Sequence, residues 1–372
     1  MSLDWIEPIV AALNSQEQRL ATLRQSGKKI VGYFCTYTPI ELVYAAGFLP
    51  VRIMGGPGPV SRADSVSPAF ICPYMRRALE QGLRHEYDFL SGIIQGYTCD
   101  VACGVIRIWE QNLDAELFHT IPLPYNDTTD ARRFFRAAML ELIDKMQAIG
   151  GRFSEEALDE SIRLYSDIRE LVLELYRMRY ERQLPLTASE FLSVVLAGFV
   201  IPPEDYRHMI GKLMAEISNT PSSSDGDLVP VLVSGSLIEE PAVLDILEES
   251  GCKVVADDLC TGLRNFEPPS GEGGDPIERL IDRYMNRLPC PARSRATERA
   301  ALLAELVERS QARAVVFVFQ KFCTPHLADH PFLVADLKKR GIPSTVIEMD
   351  EAGVNEGQLR TRFEAFFEML RA

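Results

Sequence analysis

The sequence predicts an α/β protein of two doubly wound parallel-sheet domains, flavodoxin- or Rossmann-like, joined by a helical region. Three observations predict it. Short apolar runs alternate with helical stretches, the pattern of a mostly parallel sheet covered on both faces. Two distant segments, 33–53 (YFCTYTPIELVYAAGFLPVRI) and 232–256 (LVSGSLIEEPAVLDILEESGCKVVA), both read strand, turn, helix, glycine, strand. The length of 372 residues also suffices for two or three buried cores.

The elements follow in order. Residues 3–26, rich in Ala, Leu, Glu and Gln, read as a helix, and 1–28 as an N-terminal helical segment. Residues 29–126 form the first α/β domain. Lys29–Cys35 reads as a buried strand, and a helix starts at Thr38-Pro39-Ile40-Glu41, with Thr38 as N-cap and Glu41 closing a capping box. Gly47 stops that helix. Leu49–Met54 and Asp88–Gln95 are the next strands, then a helix over 100–113 and a strand over 116–121. Residues 127–218 are helical throughout, in segments 131–149, 155–182, 188–200 and 203–218 separated by Gly or Pro. The polar stretch 219–228 is the linker. Residues 229–372 form the second α/β domain: strands over 229–234, 253–257, 313–320 and 343–349, helices over 239–250, 332–340 and 356–371, and a surface loop over 268–276.

Composition narrows the function. Hydrophobic residues make up 47% and charged residues 25%, which excludes a disordered, collagen-like or coiled-coil chain. The net charge of −14, with no long basic run, argues against nucleic acid, whose phosphates need clustered Lys and Arg. The longest apolar run, Phe191–Ile201, falls well short of the ~20 residues that span a bilayer. The acidic N-terminus lacks the basic start of a signal peptide, so a cytoplasmic protein is expected. Its eight cysteines are then not expected to form a disulfide framework.

In an open parallel sheet, ligands sit beyond the carboxyl ends of the strands. Cys35, Cys72, Cys99, Cys260 and Cys323 all fall there. Cys103 lies one turn beyond Cys99, Cys252 beside a helix-stop glycine, and Cys290 in a proline-rich loop. A single such cysteine is explained as a small buried hydrophobe; five at strand ends ask for more. No C-x-x-C exists, which excludes zinc ribbons and thioredoxin motifs, and no closely spaced ferredoxin run exists. What remains is a centre whose ligands come from distant loops, and soft thiolates select iron–sulfur clusters, copper(I) or zinc. Cys72, Cys99 and Cys323 stand at helix starts, where the helix dipole favours a thiolate.

Other chemistry is thin. There is no G-x-x-x-x-G-K-[ST] and no G-x-G-x-x-G, and the prolines of Gly55-Gly56-Pro57-Gly58-Pro59 remove amide donors from a phosphate cradle. His326 and His330 are four apart but lack the H-E-x-x-H glutamate, so solvated or capping roles are expected. Asp257-Asp258 reads as a strand end more plainly than as a paired-carboxylate site. Arg76, Arg77, Arg264 and Lys321 lie near the binding loops, with a solvated surface role the plainer reading.

The run Cys35-Thr-Tyr-Thr-Pro-Ile-Glu41 with Ala45-Ala46-Gly47, then Cys72-Pro73-Tyr74, Thr98-Cys99-Asp100, Asp257-Asp258-Leu259-Cys260-Thr261-Gly262-Leu263-Arg264 and Lys321-Phe322-Cys323, resembles the 2-hydroxyacyl-CoA dehydratase / benzoyl-CoA reductase family. The resemblance covers about residues 29–350, in the family's order, at the length of the smaller of two paralogous subunits. It implies a [4Fe–4S] cluster held by Cys72, Cys99 and Cys323, with one iron left open. It implies a paralogous subunit, an ATP-dependent iron–sulfur activator protein that injects a low-potential electron, and an acyl-CoA substrate. In a dehydratase the resulting ketyl radical anion expels hydroxide; in a ring reductase the electrons stay in the ring. The sequence departs from the pattern at Cys99-Asp100-Val101-Ala102-Cys103-Gly104, where many members carry glycine and lysines, and it offers Cys35, Cys103 and Cys260 as extra or rival ligands. Some relatives resemble this family yet form homodimers with a larger double-cubane [8Fe–9S] cluster that reduces small molecules, which is the second expectation. A non-catalytic α/β binding or scaffold protein is the third.

Overall fold

The computed structural model describes residues 4–56, 58–220, 226–350 and 356–371. Its eight strands form two four-stranded sheets, every pair parallel. The first holds β1 (Ile30–Tyr33), β2 (Leu49–Arg52), β3 (Gly92–Gly96) and β4 (Leu117–Ile121), in the order β2-β1-β3-β4. The second holds β5 (Val229–Gly235), β6 (Cys252–Asp258), β7 (Ala314–Gln320) and β8 (Ser344–Met349), in the equivalent order β6-β5-β7-β8. The expected α/β class and the expected echo between the halves are both present.

The helices, in chain order, are α1 (Ile6–Asn14), α2 (Gln16–Gln25), α3 (Ile40–Ala45), α4 (Pro73–Leu83), α5 (Asp100–Asn112), α6 (Thr129–Ala148), α7 (Glu155–Tyr180), α8 (Ala188–Ala197), α9 (Pro203–Ile217), α10 (Ala242–Glu249), α11 (Leu263–Phe266), α12 (Pro276–Met285), α13 (Ala296–Ser310), α14 (Thr324–Lys339) and α15 (Glu356–Arg371). The single N-terminal helix expected over 3–26 is split at Ser15, a residue type that competes for backbone hydrogen bonds. The middle of the expected linker, 221–225, lies outside the described residues. Helices α12 and α13 occupy a stretch that the sequence pattern left unassigned. The helix expected from Phe332 begins instead at Thr324 and carries Pro331 within it. Gly47 and Gly251 stop their helices as expected, at φ of 90° and 104°.

Both strand orders reverse direction between the first and third strands of their sheet, at β1/β3 and at β5/β7. That is the switch point where open parallel sheets leave a crevice. The packing of β5 on β7 there requires glycine. A Cβ at Gly235 would stand 1.9 Å from the Val318 carbonyl oxygen.

Buried ions join the two halves. Glu41, on α3, is fully buried and is held by Arg169 of α7, by Arg283 of α12 at 3.6 Å and by the Tyr284 hydroxyl at 2.7 Å. Burial opposes its charge, and the two guanidiniums overcome burial and hold its carboxyl below the usual range. The capping box expected for Glu41 is therefore absent: its carboxylate belongs to this network, and Pro39, not Thr38, stands at the N-cap. Arg77 of α4 reaches across to Glu239 at 3.3 Å and Glu240 at 3.1 Å. Ile277, Leu280 and Ile281 of α12 pack into the apolar core beside β1, β3 and α6.

Two outcomes follow. Glu41→Gln leaves two buried guanidiniums without a counterion and lowers unfolding free energy by about 3–5 kcal/mol in urea titration; a loss below ~1 kcal/mol contradicts the network's role. Gly235→Ala forces β5 and β7 apart and lowers the melting temperature, whereas Gly104→Ala, inside α5 and meeting no atom within 4 Å, does not lower it.

Candidate functional site

Both switch points open onto one space. A cavity of about 110 Å³ is lined by six cysteines: Cys35, Cys72, Cys99, Cys260, Cys290 and Cys323. Each arrives by its own connection. Cys35 follows β1, Cys260 follows β6, and Cys72, Cys99 and Cys323 are the N-cap residues of α4, α5 and α14. Cys290 comes from the link between α12 and α13. The cavity thus gathers Cys72, Cys99 and Cys323, and with them Cys35 and Cys260. Cys103, offered as a rival ligand, is not among its lining residues. All eight cysteines are free thiols, and Cys252 is buried at the start of β6, away from the cavity.

Local geometry fixes the sulfurs. The Ala102 amide donates to Cys99 Sγ at 3.4 Å, closing the first turn of α5. The Cys260 amide donates to the Ser236 carbonyl at 2.7 Å, and its carbonyl accepts from Arg52 Nη1 at 3.0 Å. The Cys290 amide donates to Ser294 Oγ at 3.2 Å. Before Cys323, Phe322 takes a left-handed φ of 62°, a conformation costly for a side chain and characteristic of functional loops.

The helix starts were expected to lower the thiol pKa values. Burial reverses the sign. It pushes Cys72 up to about 11, Cys99 up to about 12 and Cys290 up to about 11, and it raises Cys323 well above the ordinary value. Desolvation outweighs the dipole because the thiols line an apolar space walled by Phe34, Leu237 and Pro291. The thiols also influence one another across the cavity. Cys323 feels Cys72 and Cys99 most among its neighbouring cysteines, and Cys290 feels Cys260 and Cys35.

Two further residues line the cavity, Arg52, which sequence reasoning passed over, and His326, which it placed elsewhere. Arg52, 2% exposed, brings a guanidinium whose Nε has no hydrogen-bond partner and which stacks on Phe199 at 4.9 Å. His326, 4% exposed, is held neutral by burial, with Arg264 and Arg299 adding to the effect. It packs on Phe319 and His330 on Phe317, so neither histidine is the solvated or capping residue expected. Cys290 escaped because it ends no strand; its signal was the Pro289-Cys290-Pro291 run, which stiffens the backbone on both sides.

The charged residues near the site are otherwise spoken for. Asp257 meets Arg179 at 3.1 Å and the Tyr176 hydroxyl at 2.8 Å, and Asp258 meets Arg264 at 3.0 Å and Arg299 at 3.1 Å. Arg76 pairs with Asp64, Arg77 with Glu239 and Glu240, and Lys321 with Asp350 at 2.7 Å. These pairs replace the solvated surface role expected of Arg76, Arg77 and Arg264, whereas Lys321 keeps a solvated one, its ion pair lying at the surface.

Among the described residues no three His, Cys, Asp or Glu side chains converge on a point that would hold one metal ion. A multi-iron cluster has no such requirement, because separate irons take separate thiolates. Six soft donors, an apolar wall and a buried cation without a carboxylate suit an anionic cluster of that kind. Among the described residues, no helix is long and apolar enough to cross a membrane.

Comparison with known proteins places the chain in a family. A family model described as 2-hydroxyglutaryl-CoA dehydratase, D-component, matches residues 35–370. The chain is 30% identical to the beta subunit of lactoyl-CoA dehydratase from Anaerotignum propionicum over 93% of each chain. It is 27% identical to the (R)-phenyllactyl-CoA dehydratase beta subunit of Clostridium sporogenes over 96% of each. It is 26% identical to a benzoyl-CoA reductase subunit of Thauera aromatica over 90% of this chain and 88% of that one. The chain belongs to the 2-hydroxyglutaryl-CoA dehydratase D-component family and is an enzyme subunit of the acyl-CoA dehydratase and benzoyl-CoA reductase kind.

Proposed function

We propose that this chain is an iron–sulfur reductase-type subunit whose cavity holds a double-cubane [8Fe–9S] cluster through Cys35, Cys72, Cys99, Cys260, Cys290 and Cys323. The observation that carries the reading is the sharing of one cavity by six thiols, three from each half of the chain. The cluster, once bound, supplies low-potential electrons to a substrate at its edge. An ATP-dependent activator protein delivers those electrons, a division of labour that suits a sequence without a G-x-x-x-x-G-K-[ST] motif. Residues of the chain prepare the space. Burial keeps the thiols protonated in the metal-free protein, so loading releases protons. Arg52 offers a positive charge against the thiolates. Phe34, Leu237 and Pro291 exclude water, and neutral His326 lines the same wall without adding charge. The protein works in the cytoplasm, as one of two identical subunits or beside a paralogue.

The relatives' names favour a second reading, in which Cys72, Cys99 and Cys323 alone hold a [4Fe–4S] cluster and the chain serves an acyl-CoA dehydratase or aryl-CoA reductase beside a paralogous subunit.

Iron and sulfide analysis after strictly anaerobic purification separates the two. About eight irons per chain, falling when Cys35, Cys260 or Cys290 is changed to Ser, supports the larger cluster. About four irons, unaffected by those three changes and lost with Cys72→Ser, supports the smaller. A colourless, iron-free protein with intact thiols contradicts both. Cys103→Ser leaves the iron content unchanged under either reading.

Arg52 gives an independent check. Arg52→Met removes a cation from the cavity wall and makes the midpoint potential of the loaded protein more negative, while Arg52→Lys restores part of the shift. An unchanged potential in a folded, fully loaded Met variant contradicts the electrostatic role.

A further inference from the structure

A second cavity, of about 340 Å³, adjoins the first. Two segments border both. Cys35 and Thr36, and Cys290 to Ala292, line the thiol cavity, while Tyr37, Pro289 and Arg293 line the second. The second cavity differs in kind. Its walls carry the guanidiniums of Arg287 and Arg293.

Arg287 is 8% exposed. Its guanidinium lies 5.5 Å from the centres of the Tyr37 and Tyr284 rings and donates to the Arg264 carbonyl. Arg293 stacks on Tyr125 at 4.1 Å and donates to the Pro124 carbonyl, and its Nη1 is buried without a hydrogen-bond partner. No ion pair joins either arginine to a carboxylate among the described residues. This is unusual in a chain whose other buried guanidiniums mostly meet an acid. The two acids that line the cavity are engaged elsewhere. Asp127 is gripped by Arg132 through two bonds of 2.6 and 2.8 Å, and exposed Glu298 caps α13 by accepting from the Arg295 amide at 3.1 Å.

A guanidinium taken out of water without a counterion is costly. Stacking on tyrosine offsets part of that cost and leaves the planar N–H fork oriented for a partner. That fork fits a carboxylate or a phosphate, which can accept two parallel hydrogen bonds. The volume stands at the small end of ligand pockets, about 300–1,000 Å³.

We propose that this cavity is a binding site for a small oxyanion, a carboxylate or a phosphate group, held by Arg287 and Arg293 beside the thiol cavity. The ligand supplies the counterion that the fold omits. Because segments 35–37 and 289–293 border both cavities, a bound anion also steadies the backbone that presents Cys35 and Cys290. The proposal does not rest on the identity of what the thiol cavity holds.

Calorimetric titration of the full-length chain at low salt, with malonate and separately with inorganic phosphate, tests this. One saturable site per chain is expected. Tighter malonate binding assigns a carboxylate ligand, and tighter phosphate binding assigns a phosphate. Arg287→Met and Arg293→Gln should each weaken binding by about tenfold or more, the loss expected for a charged hydrogen bond. Circular dichroism verifies folding. Arg293 is the less buried of the two, so Arg293→Gln decides the matter if Arg287→Met fails to fold. Absence of saturable binding of either anion, or affinities within twofold of the parent in folded variants, overturns the proposal.

Discussion

A parallel strand can return to its sheet only through a crossover, and because all strands run the same way every strand-to-helix loop falls at the same edge of the sheet. The rest of this molecule depends on that constraint. Two sheets of equivalent strand order bring their loop-bearing edges to a common space, and six thiols separated by up to 288 positions in the chain, Cys35 to Cys323, meet there. Neither sheet alone lines that space; the opposition of the two edges does so.

Opposing two polar edges has a cost, and buried ions hold the arrangement together. Glu41, Arg77, Asp257 and Asp258 each sit in pairs that are nearly inaccessible to water. Such pairs contribute little net stability compared with apolar packing, but losing one partner is severe. Those of Glu41, Arg77 and Asp257 join distant segments and act as registration devices, penalising any arrangement that separates charge from countercharge, while that of Asp258 lies within the second half. Arg52 and Arg287 stand outside this pattern, and both line cavities. In this fold an uncompensated guanidinium therefore marks space for an anion.

Much of this was legible in the sequence. Strand runs such as Ala314–Gln320 carry their burial in their composition, and glycines 47 and 251 mark helix ends through backbone conformations that other residues avoid. The strand-end rule also found five of the six cavity cysteines, because it depends on topology alone. It missed Cys290, which arrives on a helix-to-helix link. Pattern reasoning also read Glu41 locally. Thr38-Pro39-Ile40-Glu41 has the spacing of a capping box, and nothing nearby in sequence announces Arg169 or Arg283, which claim the carboxylate from over a hundred residues away. The thiol pKa values failed for the same reason. The helix dipole is a local property, whereas burial is set by the whole fold, and burial is the larger effect here.

The central claim is that thiols from both halves hold one inorganic centre. Iron anomalous diffraction from crystals grown anaerobically tests it most directly. The account predicts a single contiguous peak of iron density in contact with sulfurs of Cys35, Cys72, Cys99, Cys260, Cys290 and Cys323. Iron bound only outside that cavity, or by cysteines from one half alone, would contradict it.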